Sequence, residues 1–283
     1  MGKIFSGDID ASLLDRKPFT FSHQLVGHPA LSLESLSRTL PELPPEKVQF
    51  SKGLQDLGIH FDSAHRQHPN GLSLEQTIER LKTTSSYIAV LDPEAHPAFQ
   101  GLYRDLLAEV SALRRHTRIT EPRMWLFIAS PNAMTPFHFD RYSNFLMQIR
   151  GSKQVAVFPN FDEAIVPAAE CESYMHREEA RPLWRPELDR YAQKFDFRPG
   201  DTLHIPYVAG HYVKNGPEDV SISLSFFFQT DETLRWTHAM QLNHKLRTRL
   251  GINPRPVGQS KRLDALKATA LPTLRRVRRL VGR

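Results

Sequence analysis

The stretch Ser221-Ile-Ser-Leu-Ser-Phe-Phe-Phe228 alternates hydroxyls with large apolar groups. Side chains at i and i+2 share one face of a strand, so this segment reads as a strand with one packed face and one small polar face. Small hydroxyls in such a row suit the wall of a filled cavity. The chain must therefore build a sheet with a hydrocarbon side and a working side. Its neighbours in sequence agree, because strand patterns dominate residues 124–230. Met124-Trp-Leu-Phe-Ile-Ala129 is an apolar run after Pro122, and Phe195–Ile205 reads as strand, Pro199-Gly200 turn, strand.

Two further runs, Asn144–Arg150 and Lys153–Phe158, flank Gly151-Ser152. Apolar runs around a two-residue Gly turn predict a β-hairpin. In that register Arg150 pairs with Lys153, Gln148 with Val155 and Leu146 with Val157, and cross-strand partners share a face. Asn144, Leu146, Gln148 and Lys153 then lie on one side. If that side is inward, a buried lysine calls for an anionic partner; if it is outward, Lys153 is an ordinary turn lysine.

The segment Thr135-Pro-Phe-His138-Phe-Asp140 follows the first strand of this region. On a strand His138 and Asp140 face the same way. Burying an imidazole and a carboxylate together is costly unless something pairs with both. The two can pair with each other, or with a divalent metal. Two His and one carboxylate with open coordination positions make the facial triad of non-haem Fe(II) sites. The remaining ligand must come from far along the chain, and His211 in Gly210-His211 is the best candidate. His60, His65 and His68 have no Cys or paired acid beside them and sit among Asp62, Ser63, Pro69 and Asn70, so they read as exposed loop histidines.

The front of the chain is α+β. Leu33, Leu36 and Leu40 have helical spacing, Lys47–Phe50 reads as a short strand, and Ser73-Leu-Glu-Gln76 is a capping-box pattern opening a helix to about residue 83. Ser86–Leu91 reads as a strand, and Leu102, Leu106, Leu107, Val110 and Leu113 stripe a helix from Pro97 to about His116. Residues 159–193 form a polar insertion, with an acidic, tyrosine-bearing part at 170–179, expected to cover one mouth of the sheet structure. Leu234–Leu250 predicts a helix ended by Gly251, and a second stripe runs through Leu263, Leu266, Ala270, Leu274, Val277 and Val281. The expected units are 1–120, an α+β section packed on a barrel; 121–230, the barrel; and 231–283, a basic helical tail.

Charge divides the same way. Residues 231–283 hold 13 Lys/Arg and 3 Asp/Glu, a net +10, and the rest holds 24 and 28, a net −4. A basic amphipathic tail on an acidic body suits an anionic partner, nucleic acid among them, or is a solvated helical face. One cysteine, Cys171, excludes an intramolecular disulfide framework and fits a reducing compartment, so a cytoplasmic location is expected. No apolar run is long enough for a membrane span.

Taken together and in order, Thr135-x-x-His138-x-Asp140, Asn144-Phe…Gln148-Ile-x-Gly151-x-Lys153, Pro199-Gly-Asp201-Thr-Leu-x-Ile-Pro206 and Gly210-His211 resemble the JmjC-like cupin (cupin-8) family of Fe(II)- and 2-oxoglutarate-dependent oxygenases. The resemblance is dense over 124–230 and fainter over 20–120. It implies a mainly β fold, a double-stranded β-helix (jelly-roll, cupin-like) barrel with an N-terminal α+β section and C-terminal helices. It implies Fe(II) at His138, Asp140 and His211, and 2-oxoglutarate whose distal carboxylate is held by Thr135 and Lys153. Asn144 would face the same pocket, and an earlier-strand tyrosine, here Tyr87, would touch the cosubstrate. Where the family's asparaginyl hydroxylase branch has Asn on the last core strand, this chain has Ser225, and Gly210 replaces a bulky aromatic before the third ligand. Relatives dimerise through C-terminal helices, which makes a homodimer an expectation.

The implied activity is hydroxylation of an unknown substrate, whether protein, nucleic acid or small molecule. Two rivals belong to other classes: a non-catalytic metal- or carboxylate-binding cupin regulator, and an interaction protein that binds nucleic acid through its basic tail.

Overall fold

The computed structural model describes residues 3–7, 9–53, 56–113, 118–178 and 182–270. In chain order, β1 (Phe5–Ser6) and β2 (Phe19–His23) precede α1 (Leu33–Thr39) and β3 (Val48–Lys52). A 3-10 turn at Phe61–Ser63 leads to α2 (Ala64–Gln67), α3 (Leu74–Glu79), β4 (Ser86–Leu91) and α4 (Pro97–Leu113). The core region holds β5 (Thr120–Ala129), β6 (Met134–His138), β7 (Ser143–Arg150) and β8 (Lys153–Val157). After α5 (Ala168–Met175) come β9 (Gln193–Phe197), β10 (Asp201–Ile205), β11 (His211–Asn215), β12 (Ser221–Gln229) and α6 (Asp231–Leu250).

The strands form two antiparallel sheets, a major one ordered β1-β2-β10-β7-β12-β5-β4-β3 and a minor one ordered β6-β11-β8-β9. This is a jelly-roll sandwich. Each sheet has an inner face toward the other, and the major sheet has a second, outer face.

That outer face carries the main hydrocarbon core. Every second residue of β5, β7 and β12 joins it: Met124, Leu126 and Ile128; Phe145, Met147 and Ile149; Ile222, Leu224, Phe226 and Phe228. Helix α4 closes it with Phe99, Leu102, Leu106 and Val110, all buried. The α3 capping box forms as read, Ser73 and Gln76 each satisfying the other's backbone N–H, but the helix stops at Glu79. Helix α6 starts three residues earlier than its apolar pattern, because Thr230 and Thr233 make a second capping box.

Two expectations are corrected. β7 and β8 are not a hairpin: β7 pairs with β10 and β12, while β8 pairs with β11 and β9 in the other sheet. Gly151-Ser152 is a corner that carries the chain across the sandwich. Gly151 sits at φ +69°, and a Cβ there would lie 2.5 Å from the Val220 carbonyl oxygen, so the corner needs glycine. Asn144, Leu146 and Lys153 nevertheless share an enclosure, because they face each other across the gap between sheets.

The strands of residues 1–120 are hydrogen-bonded into the major sheet, while α4 packs on its outer face. β2 pairs with β10 at one edge, and β4 pairs with β5 toward the other. His60, His65 and His68 are half-buried, not exposed; His65 lies on α2. Residues 261–270 are helical, and the part of the basic stripe at 271–283 lies outside the described residues. No described helix is long and apolar enough to cross a membrane.

Candidate metal centre

The site forms where β6 and β11 run side by side in the minor sheet. His138 and His211 are direct partners across that pair, and a bulge follows His211. A cross-strand pair puts two side chains on one face a few ångström apart, and the imidazole centroids lie 4.1 Å from each other. Asp140, just past the end of β6, brings Oδ2 to 3.5 Å from His211 Nε2. One ligand atom from each of the three residues falls within 4.8 Å of the others.

Both rings are oriented by their own backbones. His138 Nδ1 donates to the Pro136 carbonyl at 2.8 Å, and His211 Nδ1 donates to the Ala209 carbonyl at 3.0 Å. A carbonyl can only accept, so the proton sits on Nδ1 and each Nε2 lone pair points inward. Fixing the tautomer through the far nitrogen is how metal-ligating imidazoles are held. Burial, and then the facing His211 ring, hold His138 well below the ordinary histidine range. The ring is therefore neutral near pH 7, the form that can donate to a cation. Phe61 covers its other side, with ring centroids 4.5 Å apart.

A cavity opens beside these groups, between the two sheets. Its walls are the inner-face residues that alternate with the hydrocarbon core: Trp125 and Phe127 on β5, Asn144 and Leu146 on β7, and Ser221, Ser223 and Ser225 on β12. Lys153, 8% exposed, reaches in from β8. Its Nζ donates to Ser223 Oγ at 2.8 Å, and among the described residues no carboxylate pairs with it. Desolvation lowers its pKa to about 7. A buried ammonium without a counter-ion is costly, so this one is poised for an anion. Two more groups in the wall are unsatisfied and buried, Asn144 Oδ1 and Trp125 Nε1.

Every expected site residue lines this one cavity. Thr135 on β6 hydrogen-bonds to the Tyr87 hydroxyl, whose pKa burial pushes up. Asn144 Nδ2 donates to Ser225 Oγ at 3.1 Å. The Gly210 departure has a steric cause: a Cβ there would sit 2.8 Å from the Phe137 ring, which fills the space a larger residue would need. Phe61, Trp125 and Phe127 belong to the wall and were not singled out from sequence. The hydroxyl row of β12 is in the wall as read, with Ser223 between Ser221 and Ser225.

Residues 59–233, more than half of the chain, match the model of the Cupin-8 family, described as a cupin-like domain. The chain belongs to this family. Among curated proteins, this cupin is 32% identical over 130 residues to JmjC domain-containing protein F of Dictyostelium discoideum, a match that takes in 38% of this chain. The cupin spans about a quarter of that relative's length, 26%. Among solved structures it resembles YcfD of Escherichia coli, with TM-score 0.53 and 14% identity, over 95% of this chain and 68% of that one. A second structure of YcfD, described as a ribosomal oxygenase in complex with cobalt and 2-oxoglutarate, gives TM-score 0.50 and 14% identity over 90% and 61%. At these identities the likeness is one of fold.

Proposed function

We propose that this cupin is an Fe(II)- and 2-oxoglutarate-dependent oxygenase. One observation carries the reading: a triad of two imidazoles and one carboxylate faces the same cavity as a buried lysine that lacks an acid. The donor set, two imidazole nitrogens and one carboxylate oxygen, suits a ferrous ion with positions left open. His138 Nε2, Asp140 and His211 Nε2 would hold the ion. When bound, it supplies the oxidative chemistry that splits 2-oxoglutarate to succinate and CO₂ and delivers oxygen to a C–H bond.

The rest is done by this chain. Lys153 neutralises the far carboxylate of the cosubstrate through a charge-assisted bond, helped by Thr135 and by Tyr87, which shares a hydrogen bond with Thr135. Asn144 and the serines of β12 offer hydrogen bonds along its length. Trp125, Phe127 and Phe61 exclude water from the reacting end. The solved relative in complex with cobalt and 2-oxoglutarate shows that this fold accommodates such a pair. The substrate approaches over a mouth lined by His60, Phe137, Phe139, Tyr174 and Leu183. The basic C-terminal segment contacts an anionic partner, and α6 offers a surface for a second copy.

The test is succinate release from 2-oxoglutarate by anaerobically loaded protein on exposure to O₂. Release that needs iron and is absent in His138→Ala supports the proposal. Tight metal and 2-oxoglutarate binding with no succinate, across peptide, nucleic-acid and metabolite substrates, would make the cupin a regulator instead.

A further inference from the structure

A second group of ligand-type side chains lies away from the cavity, where the insertion meets the C-terminal helix. His176 caps the end of α5, Glu178 follows two residues on, and His244 sits on α6. One ligand atom from each again falls within 4.8 Å of the others. His244 Nε2 is 3.0 Å from Glu178 Oε1, and the two imidazoles stack with centroids 4.7 Å apart at 29°. Zinc bonds of about 2.0–2.1 Å place neighbouring donors about 3.3 Å apart around a tetrahedral ion. The imidazole–carboxylate spacing is already close to that.

Hydrogen bonds tie together the scaffold beneath the group. One helical turn before His176, Glu172 is 1% exposed. It accepts from Asn243 Nδ2 at 2.8 Å and from Arg247 Nε at 3.0 Å, one residue before His244 and three after it on α6. Gln241 Nε2 also donates to the Met175 carbonyl at 2.9 Å. Two helices are thus locked together at the point where each presents a histidine. Between His176 and Glu178, Arg177 adopts φ +69°, a left-handed conformation rare for a residue with a side chain, which turns Glu178 toward α6. Ser173 Oγ donates to Glu178 Oε2 at 2.5 Å, leaving Oε1 directed at His244. An outer hydrogen bond on the far oxygen is the arrangement that orients a ligating carboxylate.

We propose that His176, Glu178 and His244 form a second metal site, for a divalent ion such as Zn²⁺, that fastens the insertion to α6. Two imidazoles, one carboxylate and a water complete a tetrahedral zinc shell. The ion takes no part in oxygen chemistry, so the site stands or falls independently of the oxygenase reading. Its structural consequence reaches the cavity: α5 also carries Tyr174, which packs on Phe139 at 5.0 Å and under Arg141 at 3.7 Å, the two residues flanking Asp140. Pinning α5 holds one wall of the mouth.

The experiment uses the full chain with His138→Ala and Asp140→Ala, which removes two ligands of the first site. Chelator-stripped protein is titrated with Zn²⁺ against a chromophoric competitor, and with Co²⁺ read by visible absorption. The expected result is one bound equivalent, with the intense cobalt bands of a four-coordinate site and a rise in melting temperature. Adding Glu178→Ala, at an exposed position, or His176→Ala should weaken Zn²⁺ binding by at least the roughly 10–100-fold that loss of an outer partner alone costs, and abolish the melting shift. Two results would overturn the proposal: no Zn²⁺ retained by folded His138→Ala/Asp140→Ala protein, or retention unaffected by Glu178→Ala and His176→Ala. Either would mean a His244–Glu178 hydrogen bond with a stacked ring and no metal.

Discussion

The two faces of the major sheet are built from the same strands to opposite ends. On β12, Ile222, Leu224, Phe226 and Phe228 pack outward into the hydrocarbon core, while Ser221, Ser223 and Ser225 look into the cavity. On β7, Phe145 and Met147 are outward and Asn144 is inward. The outer face is apolar and tightly filled. The inner face has buried polar atoms without partners, on Asn144 and Trp125, and bounds a cavity that Lys153 enters from the minor sheet without a counter-ion. The lesson is that one face keeps the fold and the other leaves interactions unmade for a ligand to complete. Substitutions on the two should therefore separate stability from function.

The largest expected effect is in the cavity that the inner face bounds. Asp140→Ala should abolish iron-dependent succinate formation while shifting the melting temperature little, because Asp140 anchors no part of the hydrocarbon core; parallel turnover and melting measurements check this. On the outer face, Phe226→Ala should cost about 3–5 kcal/mol by urea denaturation. Any activity surviving in folded protein should keep wild-type cosubstrate affinity. Equal stability losses at both positions would erase the distinction between the faces.

A smaller effect concerns pH. Lys153 has its pKa lowered to about 7 in the absence of ligand. Below that pH the ammonium is already charged; above it, binding a carboxylate must also take up a proton. Affinity for 2-oxoglutarate should thus fall as pH rises above 7, by up to about tenfold per unit. Lys153→Arg, charged throughout, should flatten that profile. The smallest effect is on folding. Lys153→Met removes a buried charge without a counter-ion and should raise stability by about 1 kcal/mol, the low end of what replacing buried ions with apolar groups yields. A destabilised Lys153→Met would mean that the lysine is a structural element.

Much of this was legible in the chain. The serine alternation of β12 named its own inner face, and the His138-x-Asp140 triplet with Gly210-His211 named three residues that meet in space. The strand pairing was not legible. Two apolar runs around Gly151-Ser152 look alike whether the strands hydrogen-bond or jump between sheets; what decides is Val220, close against Gly151 and distant in sequence. β1 could not be read because a strand of two residues carries no periodic signal. The triplet His176-x-Glu178 is spelled like His138-x-Asp140 and went unread, since its partner His244 lies in a helix that sequence alone does not place beside it.

The most direct test is calorimetric titration of 2-oxoglutarate into anaerobic Fe(II)-loaded protein, compared with Lys153→Met loaded the same way. The account predicts one tight site in the native chain, lost when iron is withheld, and weakened by roughly 1.5–3 kcal/mol, the worth of a charge-assisted bond, in Lys153→Met. Binding that ignores both the iron and the lysine would contradict it.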